Sequence, residues 1–138
     1  MIVLDTDMFS LFATGHPRVV ARVEAATDLV VMTVISRIEI LHGRFDFLLK
    51  AADSGQLQRA QQLLTQTERD LAEIPILLID SRVAAKFDRL RQNKKLKKIG
   101  RADLLIASIV LAHRALLSTR NLRHFQQVPG LRVEDWAK

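Results

Sequence analysis

Residues 2–7 read IVLDTD: three apolar residues, then Asp5, Thr6 and Asp7. A short apolar run bounded by turn-prone polar residues is the mark of a buried strand, here Ile2 to Leu4. A strand interior has no use for a carboxylate, but a strand's carboxyl end does. In open α/β sheets, ligands bind just outside those ends. The stretch therefore predicts a fold and sets a question, which is whether other acids in the chain are placed to meet Asp5.

Outward from this strand, short apolar runs alternate with helical periodicity, the order expected of an α/β layered fold. A helix is predicted from Met8 to Gly15, and Pro17 opens a second. Leu29 to Thr33 reads as a second buried strand, followed by a helix from Ser36 to Leu49. Asp53 caps a further helix with Leu57, Ala60, Leu63 and Leu64 on one face, so that a helical hairpin lies between the second and third strands. Ile76 to Ile79 reads as the third strand. Ser81 then caps a helix through Leu90, and the basic loop NKKLKKIG follows. Ala102 to His113 is a strongly apolar helix, Ala115 to Ser118 a fourth strand, and Leu131 to Val133 a late edge strand. The expectation is one domain with a central sheet of four to five strands.

The chain has 138 residues, 49% of them apolar and 26% charged, which fits a globular protein with a single core. It contains no cysteine, which removes disulfides and thiolate metal sites and fits a reducing cytoplasm. No apolar run approaches the roughly 20 residues that span a bilayer. No basic segment followed by a long apolar one marks a signal peptide. No GxxxxGK[ST] occurs, which excludes a P-loop nucleotide hydrolase. The net charge of +6 attracts polyanions, nucleic acid being the commonest. The positive charge concentrates in three places: Arg89 to Arg91, Lys94 to Lys98, and Arg114 to Arg123.

Three acids stand among apolar neighbours: Asp5 in VLD, Glu39 in RIEIL and Asp103 in RADLLIA. Helical spacing puts Asp103 on one face with Ile106, Ala107 and Val110. A helix cap explains Asp103 alone, and an Asx turn explains Asp5 alone. Neither explains Glu39, in mid-helix between Ile38 and Ile40. Were the three to converge, two carboxylates about 4 Å apart would repel by roughly 4 kcal/mol at an effective dielectric of 20. A fold tolerates that through a cation or a proton between them. Hard oxygen donors favour Mg²⁺ or Mn²⁺.

The series LDTD, TVISRIEILHG, IGRADLLIAS and LLSTRNLRHFQQVPGLRVEDW, in that order, resembles the PIN-domain ribonucleases, and within them the VapC-type toxins of bacterial toxin–antitoxin pairs. The resemblance implies a PIN-like fold, a parallel sheet with helices on both faces, and an acidic pocket for Mg²⁺ or Mn²⁺. Asp5, Glu39 and Asp103 match the three core acids, and Asn121 falls at the fourth polar site. Thr6 and Thr119 match hydroxyl residues lining the pocket. Two positions depart: Asp7 stands where members commonly carry Asn, and His124 stands where they commonly carry an acid. The implied reaction is hydrolysis of an RNA phosphodiester to a 5′-phosphate and a 3′-hydroxyl. An antitoxin partner and a homodimer are implied as well, with the helical hairpin from Ser36 to Glu73 and the helix near Met8 to Phe12 offering apolar surface.

Basic residues are needed to hold RNA beside an acidic pocket. Lys94, Lys95, Lys97, Lys98 and Arg101 adjoin Asp103 and come first, with Arg120 and Arg123 second. His113 and His124 read as structural or surface residues and not as metal ligands, and Trp136 as a packing residue. Two other classes compete. Asp5-Thr6-Asp7 after a strand also resembles the nucleophile loop of haloacid-dehalogenase-like phosphatases, although Met8 and Phe9 follow and no later paired-acid loop appears. The other is a non-catalytic RNA-binding protein on the same fold, against which the intact acid set argues. Convergent acids also predict that Mg²⁺ stabilises the protein, and that Asp103→Asn does so without metal.

Overall fold

A computed structural model of the chain describes residues 1–138. The elements run β1 (Ile2–Leu4), α1 (Thr6–Ala13), α2 (Pro17–Ala25), β2 (Val30–Thr33), α3 (Val34–Leu49), α4 (Ser54–Ala72), β3 (Ile76–Leu77) and α5 (Ser81–Gln92). A single 3-10 turn (Lys94–Leu96) then leads to α6 (Arg101–Ala112), β4 (Leu116–Ser118), α7 (Leu122–Phe125) and β5 (Arg132–Glu134). The strands form one sheet in the order β3-β2-β1-β4-β5, and every neighbouring pair is parallel.

Alternation along β1 distributes the core to both faces of this sheet. Val3 packs with Val31, Leu117, Phe87, Ala107 and Val110, beneath α5 and α6. Ile2 and Leu4 pack on the other side with Met32, Met8, Val19, Ile40 and Trp136, beneath α1, α2 and α3. The apolar run Ile2–Leu4 is thus buried on both faces, as a strand in a helix-covered parallel sheet requires.

The chain leaves β1 toward β2 and β3, then returns to the other side of β1 to lay down β4 and β5. The strand order therefore reverses between β1 and β4. In doubly wound sheets this is where a crevice opens at the carboxyl ends. Asp5 sits at that reversal. Its amide donates to the Ser118 carbonyl (3.0 Å), and the Thr119 amide donates to the Glu134 carbonyl (2.9 Å), which ties the ends of β1, β4 and β5 together.

Several boundaries differ from the sequence reading, for identifiable reasons. α1 begins at Thr6 rather than Met8, because Asp5 is its N-cap. α3 begins at Val34 rather than Ser36, capped by Thr33, whose hydroxyl accepts from the Ser36 amide (3.1 Å). Asp80, not Ser81, caps α5 through the Val83 amide (3.0 Å). The expected third strand shrinks to Ile76–Leu77, since Leu78 and Ile79 are 64% and 46% exposed and pair with nothing. The apolar surface assigned to Met8–Phe12 is largely spent in the core, with Met8 and Phe9 buried. Trp136 is buried as expected, its Nε1 donating to Glu134 (3.0 Å).

Candidate active site

Three helices and one loop deliver side chains to the crevice. Asp5 and Asp7 arrive at the start of α1, Glu39 from the second turn of α3, Asp103 from the first turn of α6, and Asn121 just after β4. Together with Thr6, Ile106 and Phe125 they line a cavity of about 260 Å³. Four carboxylates face this space, and no lysine or arginine lines it.

Asp5 is the anchor. Only 8% of it is exposed, and one carboxylate oxygen accepts from the Met8 amide (2.8 Å). Burial pushes its carboxyl up to about 6. Hydrogen bonds from Thr119 and the Met8 amide oppose the rise, while the charges of Asp7 and Asp103 add to it. The residue is both a helix cap and a pocket acid, because the second carboxylate oxygen is free of the cap.

Glu39 is held from the other side. The Thr6 hydroxyl donates to Glu39 Oε1 (2.8 Å) and hydrogen-bonds with the buried Ser36 hydroxyl (2.9 Å). A chain of hydroxyls thus fixes an otherwise exposed carboxylate. Asp103 differs again. α6 has Gly100 at its N-cap and no side-chain cap bond, so Asp103 caps nothing. Its side chain is 37% exposed. Thr119 lies beneath the pocket and not in its wall. It is fully buried, and its hydroxyl accepts from the Asn121 amide (3.0 Å). No three of the acids and histidines are close enough to hold an ion by themselves.

The family model described as PIN domain matches residues 2–131. The chain belongs to the PIN-domain family. Its PIN domain is similar to a ribonuclease of Haemophilus influenzae strain R2866, VapC1, at 28% identity over 98% of this chain and 97% of that one. It is similar in structure to the VapBC2 complex of Rickettsia felis, bound there to a fragment of promoter DNA (TM-score 0.79, 25% identity, 99% of each chain). It is similar also to VapBC-1 of nontypeable H. influenzae (TM-score 0.73, 28% identity, all of each chain). The resemblance is therefore to the VapC-type members of the family. The haloacid-dehalogenase reading falls away, since a PIN domain explains the strand order and the acids together.

The PIN-domain pocket brings together Asp5, Thr6, Asp7, Glu39, Asp103 and Asn121, all singled out from the sequence. The exposed cations Lys94, Lys95, Lys97, Lys98, Arg101 and Arg120 lie outside it. Leu96 and Ile99 are buried and pin the basic loop to the core, which leaves its lysines facing solvent. Sequence reading missed four neighbours. Ser36 had a signal, three residues after a capping Thr33. Ile106 read only as a core residue sharing a helix face with Asp103, and Phe125 was given no role. His124 read as structural or surface, yet it is 23% exposed, with its Nε2 3.1 Å from Asp103 Oδ2. That nitrogen is buried and has no partner aligned for a hydrogen bond.

Proposed function

We propose that this PIN domain is a Mg²⁺- or Mn²⁺-dependent endoribonuclease, acting as the toxin of a toxin–antitoxin pair. One observation carries the reading: four carboxylates share a cavity of about 260 Å³ at the strand reversal, and no protein cation lines it. A buried acid with a raised pKa at such a place marks a site for catalysis or ion binding.

The donor set fits a hard divalent cation. All of its first choices are oxygens, from Asp5, Asp103 and Glu39, as Mg²⁺ and Mn²⁺ prefer. The spread of the carboxylates fits as well, because Mg²⁺ ordinarily takes one or two of them and fills its shell with water and substrate phosphate. Asp5 and Asp103 would hold the ion. Such an ion supplies Lewis acidity toward a phosphate oxygen and an acidified water.

The remaining chemistry belongs to the chain. Glu39, held by Thr6, is placed to orient a water for in-line attack and to accept its proton. Asn121, neutral, can donate to a phosphate oxygen without adding repulsion. Thr119 supports Asp5 from below, and Asp7 adds negative charge at the rim. The buried walls Ile106 and Phe125 limit water around the reacting phosphate. Lys94, Lys95, Lys97, Lys98, Arg101 and Arg120 would hold the RNA backbone that the acids repel.

For the protein partner, the relatives described as VapBC complexes support an antitoxin. Ile38, Phe45, Phe47 and Leu49 of α3 and Leu57 of α4 are about half exposed or more, a surface suited to an antitoxin or a second copy. The test is cleavage of total RNA by purified protein. Wild type should cut in Mg²⁺ and stop in EDTA, and Asp103→Asn should be inactive in both. Equal cleavage by the variant, or full activity in EDTA, would contradict the assignment.

A further inference from the structure

We infer that the cleft between α5 and the C-terminal end of α6 is a second phosphate-binding site, which grips an RNA strand at a distance from the catalytic pocket. This rests on the ribonuclease reading. The cleft has a volume of about 570 Å³, and its polar lining is Arg82, Lys86, Arg89, His113 and Arg114, without a carboxylate. Asp103 begins α6 and Arg114 follows its end, so about 16 Å separates the two sites at 1.5 Å per residue.

The charges are aligned rather than scattered. Arg82, Lys86 and Arg89 follow an i, i+4, i+7 spacing, which puts them on one face of α5. Like charges at that spacing weaken a helix, so nothing in local stability recommends them. Only Arg82 has an acid nearby, Asp80 at 3.5 Å, while Asp88 turns to Arg91 (3.7 Å).

Arg114 gives a second, independent indication. It has φ +50°, the left-handed region. The Ala115 amide donates to the Val110 carbonyl and the Arg114 amide to the Leu111 carbonyl, both at 3.1 Å. This is a Schellman ending, whose left-handed residue is ordinarily glycine. An arginine is strained there. Its carbonyl is further fixed by Arg132 Nη2 (3.0 Å). The fold thus holds a long cation at the cleft where glycine would serve the turn better.

The layout favours an extended polyanion over a single small anion. Arg82 to Arg89 spans about 10 Å of helix, too long to converge on one phosphate. Nearer the catalytic end, on another face of α5, Arg91 and Arg101 are seated over the Phe87 ring (5.8 and 4.9 Å), and the lysines of the 3-10 turn lie beyond.

The experiment measures binding of a labelled 25-nucleotide and a labelled 5-nucleotide single-stranded RNA by anisotropy, with Asp103→Asn in every protein to prevent cutting. Adding Arg82→Gln, Lys86→Gln and Arg89→Gln should weaken the 25-mer about tenfold or more and lower its salt slope by about 2, at roughly 0.7 per single-strand phosphate contact. The 5-mer, too short to fill the pocket and the whole row together, should lose less affinity than the 25-mer. Arg114→Gly should also weaken the 25-mer while melting at the same temperature or higher, which separates the cation's role from folding. Unchanged 25-mer affinity and salt slope would overturn the inference. Cleavage of total RNA by the protein with Asp103 intact, in Mg²⁺, is the control. If it fails while the 25-mer result holds, the cleft stands and the nuclease reading falls.

Discussion

Asp5→Asn is expected to cut RNA about a hundredfold to a thousandfold more slowly than wild type, the scale of losing one charge-stabilising group at a reacting centre. It is also expected to be the more stable protein at pH 7.5 in metal-free buffer. Both results follow from one carboxylate. Burial raises Asp5 from 3.8 to about 6, so the fold disfavours its charged form. Below about pH 4 the group is protonated in the folded and unfolded chains alike, and no penalty exists. Between about 4 and 6 the folded chain binds more protons, so this group's effect is to lower stability as pH rises, reaching a plateau above about 6. The full shift corresponds to about 3 kcal/mol at most. Asparagine keeps an oxygen for the Met8 amide and serves as an N-cap about as well as aspartate, so the variant should recover much of that penalty. Urea unfolding in EDTA at pH 4 and at pH 7.5 checks it. The variant's advantage should appear at 7.5 and vanish at 4. A variant less stable than wild type at both would show that Asp5 is structural and not held at a cost for function.

Divalent cation should produce the second large effect. Mg²⁺ or Mn²⁺ that binds the folded pocket and not the unfolded chain stabilises by mass action, about 2.7 kcal/mol at a hundredfold excess over Kd. For a domain of this size that is a rise of roughly 5–10 °C in melting temperature. The ion competes with the proton on Asp5, so the rise should fade as pH falls below about 6. Asp103→Asn should melt higher than wild type without metal, because a charge that raises Asp5 is gone, and should respond little to the ion. Glu39→Gln should shift the metal-free melt less, since Glu39 is exposed and already held by Thr6. Melting curves that ignore millimolar Mg²⁺ and Mn²⁺ would count against a shared ion site.

Much of this was legible in the residues. Ile2–Leu4 announced a doubly buried strand, and the acids that interrupt apolar context proved to face one cavity. What escaped had physical reasons. Asp5 reads as a pocket acid or as a cap, and being both, it started α1 two residues early. Leu78 and Ile79 look like strand interior, but an apolar run does not reveal where a pairing partner ends. The four-residue α7 is too short for any periodicity to show. His124 beside Asp103, and the meeting of Arg82, Lys86 and Arg89 with Arg114, depend on segments far apart in sequence that only the packing of α5, α6 and β4 brings together.

The central claim is that Asp5 and Asp103, with Glu39 beside them, grip a divalent cation in the crevice between β1 and β4. Anomalous diffraction from crystals soaked in Mn²⁺ tests it most directly. The account predicts a dominant peak within coordination distance of the Asp5 and Asp103 carboxylates in wild type, absent from Asp103→Asn crystals treated identically. No peak in the crevice, or one that survives unchanged in the variant, would contradict it.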